Sequence, residues 1–306
     1  MPDPLPEGVT PDQPLARLTT VRTGGNADFF ARPEDEDHLV SLLSWARDGE
    51  IDVGIIGSGS NLLVADDGFR GLAIKLSGDL ASIEPNGNEL ICGGGARLPS
   101  AAAKTAGWGL AGLEFGINIP GTAGGAVKMN ANAYGGRLAD VLEWVRICTA
   151  DGARQVVPAD LDLEYRHSNI QADQVVSRVS FRLTPDEPEN IKARLAEMRQ
   201  WRKDAQPSGI KTFGSTFKNP DDARAEGRSA GQLLDAAGCR GLRIGGAGLA
   251  EKHANFVENK DDATTAEVVA VMTEARRKVE EKFGILLEPE VQVLGEVEWP
   301  EGWEVG

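Results

Sequence analysis

Apolar residues recur at helical spacing in three long stretches. Leu39, Leu42, Leu43 and Ala46 predict a helix over 34–49, with Gly49 able to end it. Ile191, Leu195, Met198 and Trp201 predict a charged amphipathic helix over 190–205. Val268, Val269, Met272, Ala275 and Val279 line one face of a third helix over 265–283, stopped by Gly284. Shorter helices are expected over 99–107, from small residues and ended by glycine, and over 232–237, ended by Gly238. Between them lie strand-like runs at 53–56, 72–76, 89–92, 142–150, 155–157, 175–183 and around 255–257. Asn86-Gly87 is a hairpin-type turn, and Asp151-Gly152 is the strongest short-range hairpin signal in the chain. Residues 18–32 read as two β-like runs about a Gly-Gly turn, and residues 1–15 as a loose arm. The element order is that of an α+β chain with a first unit over 16–77, a second over 78–186, a linker helix over 187–206 and a third unit over 207–295.

Composition narrows the function classes. At 306 residues the chain has room for two or three domains, and an apolar share of 41% is enough for packed cores. Its three cysteines, Cys92, Cys148 and Cys239, are far apart and form no CxxC, which argues against a disulfide framework and a structural zinc site. No metal ligand is spaced near His253, which reads as a structural hydrogen-bonding residue. The Pro-rich, acidic N-terminus lacks the basic and apolar regions of a signal peptide. No apolar run approaches the roughly 20 residues of a spanning helix, so a cytoplasmic protein is expected. A net charge of −15 argues against nucleic acid as a partner. Anionic substrates remain possible where local Arg and Lys offset the overall field.

Two glycine-rich stretches suggest where an anion would bind. Residues 112–136 hold seven glycines and few charges, so one regular element cannot run through them. Ile119-Pro120-Gly121-Thr122 reads as a tight turn. The following Ala123-Gly124-Gly125-Ala126 cannot shield its main-chain N–H groups, which favours a phosphate there. In the second stretch, an apolar run ends in Gly57-Ser58-Gly59-Ser60-Asn61 before Leu62-Leu63-Val64. Several N–H groups and two hydroxyls could there meet one diphosphate, although Asn61 could equally bond its own turn. A third glycine and a long following helix are missing for a dinucleotide fingerprint, and no Gly-Lys-Ser/Thr follows to make a P-loop.

These stretches belong to an ordered set of motifs. Thr20-Val21-Arg22-Thr23-Gly24-Gly25 precedes them; Met129-Asn130-Ala131, Tyr165-Arg166-His167-Ser168, Gly214-Ser215-Thr216-Phe217-Lys218-Asn219-Pro220, Lys252-His253-Ala254-Asn255-Phe256 and Leu287-Glu288-Pro289-Glu290-Val291 follow. In this order and spacing the chain resembles the UDP-N-acetylenolpyruvoylglucosamine reductase (MurB) family from about Thr19 to Gly295. The resemblance implies a two-part FAD-binding domain of the vanillyl-alcohol oxidase type, with FAD between its two parts, and a C-terminal α/β substrate-binding domain. Gly57, Ser58, Gly59, Ser60, Asn61 and Leu62, with Pro120, Gly121, Thr122, Gly124, Gly125 and Ala126, would hold the cofactor. Some flavoenzymes of that fold attach FAD through a histidine near the phosphate loop; none lies at 58–61 here, so non-covalent FAD is expected.

By motif position Arg166 matches the family's active-site arginine, Glu290 its catalytic glutamate and Ser215 its proton donor. A guanidinium suits a planar carboxylate, and a positioned hydroxyl can act as general acid toward a basic carbon. Glu288 is the rival to Glu290, and Thr216 the weaker alternative to Ser215. Tyr165, Lys218 and Asn219 would contact substrate. The implied reaction is NADPH-dependent reduction of UDP-N-acetylglucosamine enolpyruvate to UDP-N-acetylmuramate in peptidoglycan synthesis, by a monomer that needs no metal. Asn118 and Lys128 depart from the family pattern near the flavin. The lack of a long insertion in the third unit resembles the shorter branch, without the tyrosine-bearing loop. The alternatives are an oxidase of the same FAD-binding superfamily and a non-catalytic flavin or nucleotide-sugar sensor.

Overall fold

A computed structural model describes residues 5–303, and two compact units emerge from it. Among the described residues the first comprises 5–11, Asp28–Ser58 and Gly71–Arg202; the second comprises Asp12–Ala27, Gly59–Arg70 and 203–303. Thus residues 12–27 and 59–70 pack with the C-terminal part of the chain, and one boundary falls inside the Ser58-Gly59 link.

The first unit has two cores. Helix α1, Glu36–Asp48, is capped by the Asp35 carboxylate on the His38 N–H and lays Leu39, Leu42, Leu43 and Ala46 into the smaller core. Phe29, Leu72, Ile74 and Leu80 complete that core. Strand Asp52–Ile55 runs parallel to Gly71–Ile74, with Val53 opposite Leu72. The larger core lies on a five-stranded antiparallel sheet. Its order is Gly152–Val156, Leu142–Thr149, Val175–Arg182, Glu89–Gly93 and Ile83–Asn86. The two predicted hairpins form its edges, Thr149 pairing with Gly152 and Asn86 with Glu89. Helices α2 (Leu98–Trp108), α3 (Ala123–Lys128) and α4 (Pro188–Ala205) bring apolar residues to the same core, α4 through Ile191 and Leu195.

Three local expectations change. Helix α2 continues through Gly107 and stops at Gly109, because Gly109 takes the left-handed conformation (φ 63°) that closes a helix C-terminus. Of the arm expected over 1–15, residues 1–4 lie outside the described residues, but Val9–Pro14 form a strand and Leu15 is fully buried. The first β-like run of 18–32 is instead irregular after a 3-10 turn at Ala16–Leu18; only Asn26–Ala31 is a strand.

The second unit is organised on α6, Thr265–Phe283, which buries Val268, Val269, Val271, Met272, Ala275 and Val279. A reciprocal capping box between Thr264 and Glu267 starts it, and Gly284 (φ 68°) ends it. Both oxygens of Asp66 accept from its first N–H groups, at 2.7 Å (Thr265) and 2.9 Å (Ala266), where the helix dipole favours a carboxylate. Helix α5, Ala230–Ala236, has its own capping box from Ser229. Strands Arg243–Ile244, Ala247–Leu249 and Val257–Asn259 form a small antiparallel sheet. Leu62–Val64 pair in parallel with Gln292–Leu294, in the register Leu62 opposite Gln292.

Candidate active site

In the first unit the two glycine-rich stretches meet. A Cβ on Gly57 would lie 2.8 Å from Thr122 Oγ1, so glycine is required at that contact. Thr122 caps α3, its hydroxyl accepting from Gly125 N–H at 3.4 Å. The N–H groups expected to face a phosphate are differently used: Ala123 donates to Ala96 O and Gly124 to Gly94 O, both at 2.8 Å. A Cβ on Gly124 would come within 3.0 Å of Gly94 O and 3.2 Å of Val176 O. Gly124 therefore answers to close backbone packing against the sheet. Around Gly121, by contrast, a side chain would meet nothing within 4 Å.

Arg166 sits at the tip of a two-residue turn. Glu164 and His167 exchange both main-chain hydrogen bonds at 3.2 Å, and Arg166 takes a left-handed φ of 57°. Its guanidinium lies over the ring of half-exposed Tyr165, 5.2 Å from the centroid, and Nη1 donates to Asn132 Oδ1 at 3.2 Å.

The second unit carries Ser215 and Glu290 on adjacent segments. Ser215 bridges Phe256 on one side. Next to it, Thr216 O accepts from Glu290 N–H at 2.9 Å, and Phe217 bridges Pro289 on the other side. Buried Asn255 locks this ladder by binding both Phe217 N–H and Phe217 O at 2.9 Å. Asn61 does not bond its own turn: its Nδ2 donates to Glu290 O at 3.1 Å, while its main-chain O accepts from Gln292 N–H at 3.0 Å. Gly59 (φ 65°) packs on the motif before it, with Thr20 donating to Gly59 O through both N–H and hydroxyl at 3.0 Å.

The members of each pair of alternatives differ in their surroundings. Thr216 is fully buried and its hydroxyl oxygen accepts from Val257 N–H at 3.2 Å, whereas Ser215 is half-buried. Glu288 has a 70% exposed side chain 3.3 Å from Lys218 Nζ, a surface pair of small energetic weight, whereas Glu290 is half-buried. Asn219 Oδ1 accepts from Ala230 N–H at 3.0 Å at the start of α5, so both Lys218 and Asn219 have structural partners.

Residues 206–294 match the family model of the UDP-N-acetylenolpyruvoylglucosamine reductase C-terminal domain, and residues 27–157 match that of an FAD binding domain. A UDP-N-acetylenolpyruvoylglucosamine reductase from Agathobacter rectalis is 42% identical over 95% of this chain and 96% of its own length. One from Sphingopyxis alaskensis is 43% identical over the same shares. The chain belongs to the UDP-N-acetylenolpyruvoylglucosamine reductase family. The crystal structure of the Thermus caldophilus member has a TM-score of 0.79 and 35% identity, covering 94% of this chain and 97% of that one. Members of this family share the α+β plan seen here, an FAD-binding domain followed by the C-terminal domain.

The residues present fit the FAD diphosphate. Ser58 Oγ is a buried polar atom with no hydrogen-bond partner among the described residues, next in the chain to Gly57, which packs on Thr122. Lys75 donates through Nζ to Gly57 O. Burial pushes the Lys75 amine below its usual range, and the nearby cations Arg32 and Arg97 push it further. Arg97 itself bridges Thr122. This positive cluster, suited to an anion, was missed in the sequence. Its one visible signal is a lysine inside the apolar run Leu72-Ala73-Ile74-Lys75-Leu76. The two residues that depart from the family pattern have structural partners. Asn118 donates to Met198 O at 2.7 Å and accepts on its main-chain oxygen from Arg202, while Lys128 Nζ donates to Ile170 O at 3.0 Å.

Proposed function

We propose that this chain is an FAD-dependent oxidoreductase that reduces UDP-N-acetylglucosamine enolpyruvate to UDP-N-acetylmuramate with NADPH, in peptidoglycan synthesis. The observation that carries the reading is identity of 42–43% to reductases of that name along 95% of the chain, both domain matches included. Bound FAD supplies the relay of a hydride from NADPH to the enolpyruvyl double bond.

The protein's own groups do the rest. Arg166 would receive the substrate carboxylate, which is conjugated to that double bond, and stabilise negative charge as it spreads there. Glu290, beside a substrate carboxylate, would be held neutral and donate a hydrogen bond to the enolate. Ser215 would give its proton to the carbon next to the carboxylate, completing the lactyl ether. Gly57, Ser58, Gly59, Ser60, Asn61 and Leu62, with Pro120, Gly121, Thr122, Gly124, Gly125 and Ala126, form the proposed cofactor wall. Lys75 adds charge to it. Tyr165, Lys218 and Asn219 are assigned to substrate. We keep 16–77 and 78–186 as the proposed cofactor-binding parts, 187–206 as linker and 207–295 as the substrate-binding part. The protein is proposed to work as a cytoplasmic monomer; no helix among the described residues is long and apolar enough to cross a membrane.

An anaerobic titration tests the reading. NADPH should bleach the flavin absorbance, and UDP-N-acetylglucosamine enolpyruvate should restore it in one equivalent. Oxygen consumption with a hydroxylated substrate would indicate an oxidase instead, and flavin that NADPH cannot reduce would indicate a sensor. The three histidines, His38, His167 and His253, lie outside 58–61, so acid precipitation should leave all flavin in the supernatant.

A further inference from the structure

The Arg166 turn is mounted on the segment that leaves α3. Asn130 Nδ2 donates to Glu164 O at 2.9 Å, at the base of the turn. Asn132 Oδ1 accepts from Arg166 Nη1 at 3.2 Å, at its tip. Ser168 Oγ donates to Lys128 O at 2.8 Å and Lys128 Nζ to Ile170 O at 3.0 Å, just beyond it. Four side chains thus fasten 164–170 to 128–132, and no strand ladder joins them.

Stability alone does not account for this arrangement. Asn130 has a left-handed backbone (φ 38°) and is buried, with its amide oxygen Oδ1 lacking a partner among the described residues. Left-handed backbone at a non-glycine residue and a buried unpaired acceptor both work against folding. Arg166 itself is left-handed. Unfavourable features kept together around one cation are those expected where its direction matters more than the local energy.

We propose that Asn130 and Asn132 are positioning residues for Arg166. Asn130 fixes the turn that carries the arginine. Asn132 sets the direction of the guanidinium, which carries several N–H donors in a fixed planar fork. The inference rests on Arg166 as the carboxylate-binding group of the proposed reaction.

Calorimetric titration of the FAD-loaded protein tests it with two ligands, the enolpyruvyl nucleotide and UDP-N-acetylglucosamine, which lacks the carboxylate. Asn132→Ala should weaken the first by about 10-fold and leave the second within about 2-fold. Asn132→Asp is nearly isosteric and should fold. Its carboxylate would pair with the guanidinium and weaken the first ligand by about 100-fold. Asn130→Gly keeps the left-handed backbone and should cost about 5-fold, again only for the first ligand. On an Arg166→Ala background neither change at Asn132 should add anything. Equal losses for both ligands, or full additivity with Arg166→Ala, would overturn the proposal. If Arg166→Ala alone leaves carboxylate affinity unchanged, the reading of Arg166 fails first, and the proposal with it.

Discussion

The Arg166 turn and the Ser215–Glu290 ladder are held by different means. The turn hangs on side chains: Asn130, Asn132 and Lys128 reach across to its segment, Ser168 reaches back to Lys128 O, and its own backbone is left-handed at Arg166. The ladder is held mostly by main chain, with Ser215 against Phe256, Thr216 against Glu290 and Phe217 against Pro289, and with the buried Asn255 amide as a side-chain lock. A side chain on a strand ladder is placed by the fold, so replacing it changes chemistry and little else. A side chain on a turn depends on each neighbour that holds the turn, so its function can be lost without touching it.

The largest expected effect breaks the chemistry of the ladder while sparing its structure. Ser215→Ala should slow flavin reoxidation by the enolpyruvyl substrate by about 100- to 10,000-fold, because the proposed general acid is gone. Reduction by NADPH needs no such proton and should be nearly unchanged; Ser215→Cys should keep part of the activity. Stopped-flow absorbance reads both half-reactions. Equal slowing of the two would make Ser215 a structural residue.

Next in size is damage to the ladder itself. Asn255→Ala leaves Phe217 N–H and O unpaired in a buried site, which should cost roughly 3 kcal/mol of stability. Denaturant unfolding measures it, and a loss near zero would mean that the ladder does not depend on this amide.

Gly124→Val comes third and tests whether this glycine is needed for packing. The added carbons would press on Gly94 O and Val176 O. A loss of about 1–3 kcal/mol is expected in apoprotein and holoprotein alike, with weaker FAD retention as a consequence. Loss of FAD affinity with unchanged apoprotein stability would instead make Gly124 a ligand contact.

The smallest effect is a pH dependence confined to the ladder. His253 Nδ1 accepts from Asn255 N–H at 3.3 Å, which requires the neutral ring. Burial pushes its pKa below the ordinary 6.5, and Arg240 adds to this. The unfolded chain therefore binds the proton first as pH falls. Stability should be flat above that value, decline as pH drops from it toward the lower folded-state pKa, and level off beyond. His253→Gln should flatten the slope in unfolding midpoints taken between about pH 7.5 and pH 5. The amides of Asn130 and Asn132 do not titrate there, so their hold on the Arg166 turn should be unaffected.

Much of the fold was legible because it depends on local periodicity. The buried stripe Val268, Val269, Met272, Ala275 and Val279 and the stop at Gly284 appear as read, and the hairpin at Asp151-Gly152 closes with Thr149 opposite Gly152. Gly107 and Gly109 show the limit. Both are glycines near the end of one helix, and only the packed chain determines which adopts the left-handed conformation. The strand at Val9–Pro14 was hidden because its residues are mostly polar and Pro-rich, so its pairing rests on a neighbouring strand more than on its own pattern.

By itself the sequence determined most of the element types, the family and the motifs in which Arg166, Ser215 and Glu290 stand, since these follow from residue identity and spacing. Tertiary structure decided which groups those residues meet. It joined the Asn61 amide to Glu290 O across 229 positions, gathered Lys75, Arg32 and Arg97 around Gly57 and Thr122, and used the N–H groups of Ala123 and Gly124 on Ala96 and Gly94. A hydrogen bond or a charge cluster depends on distance in space, and segments far apart along a chain acquire that distance only when the cores close around them.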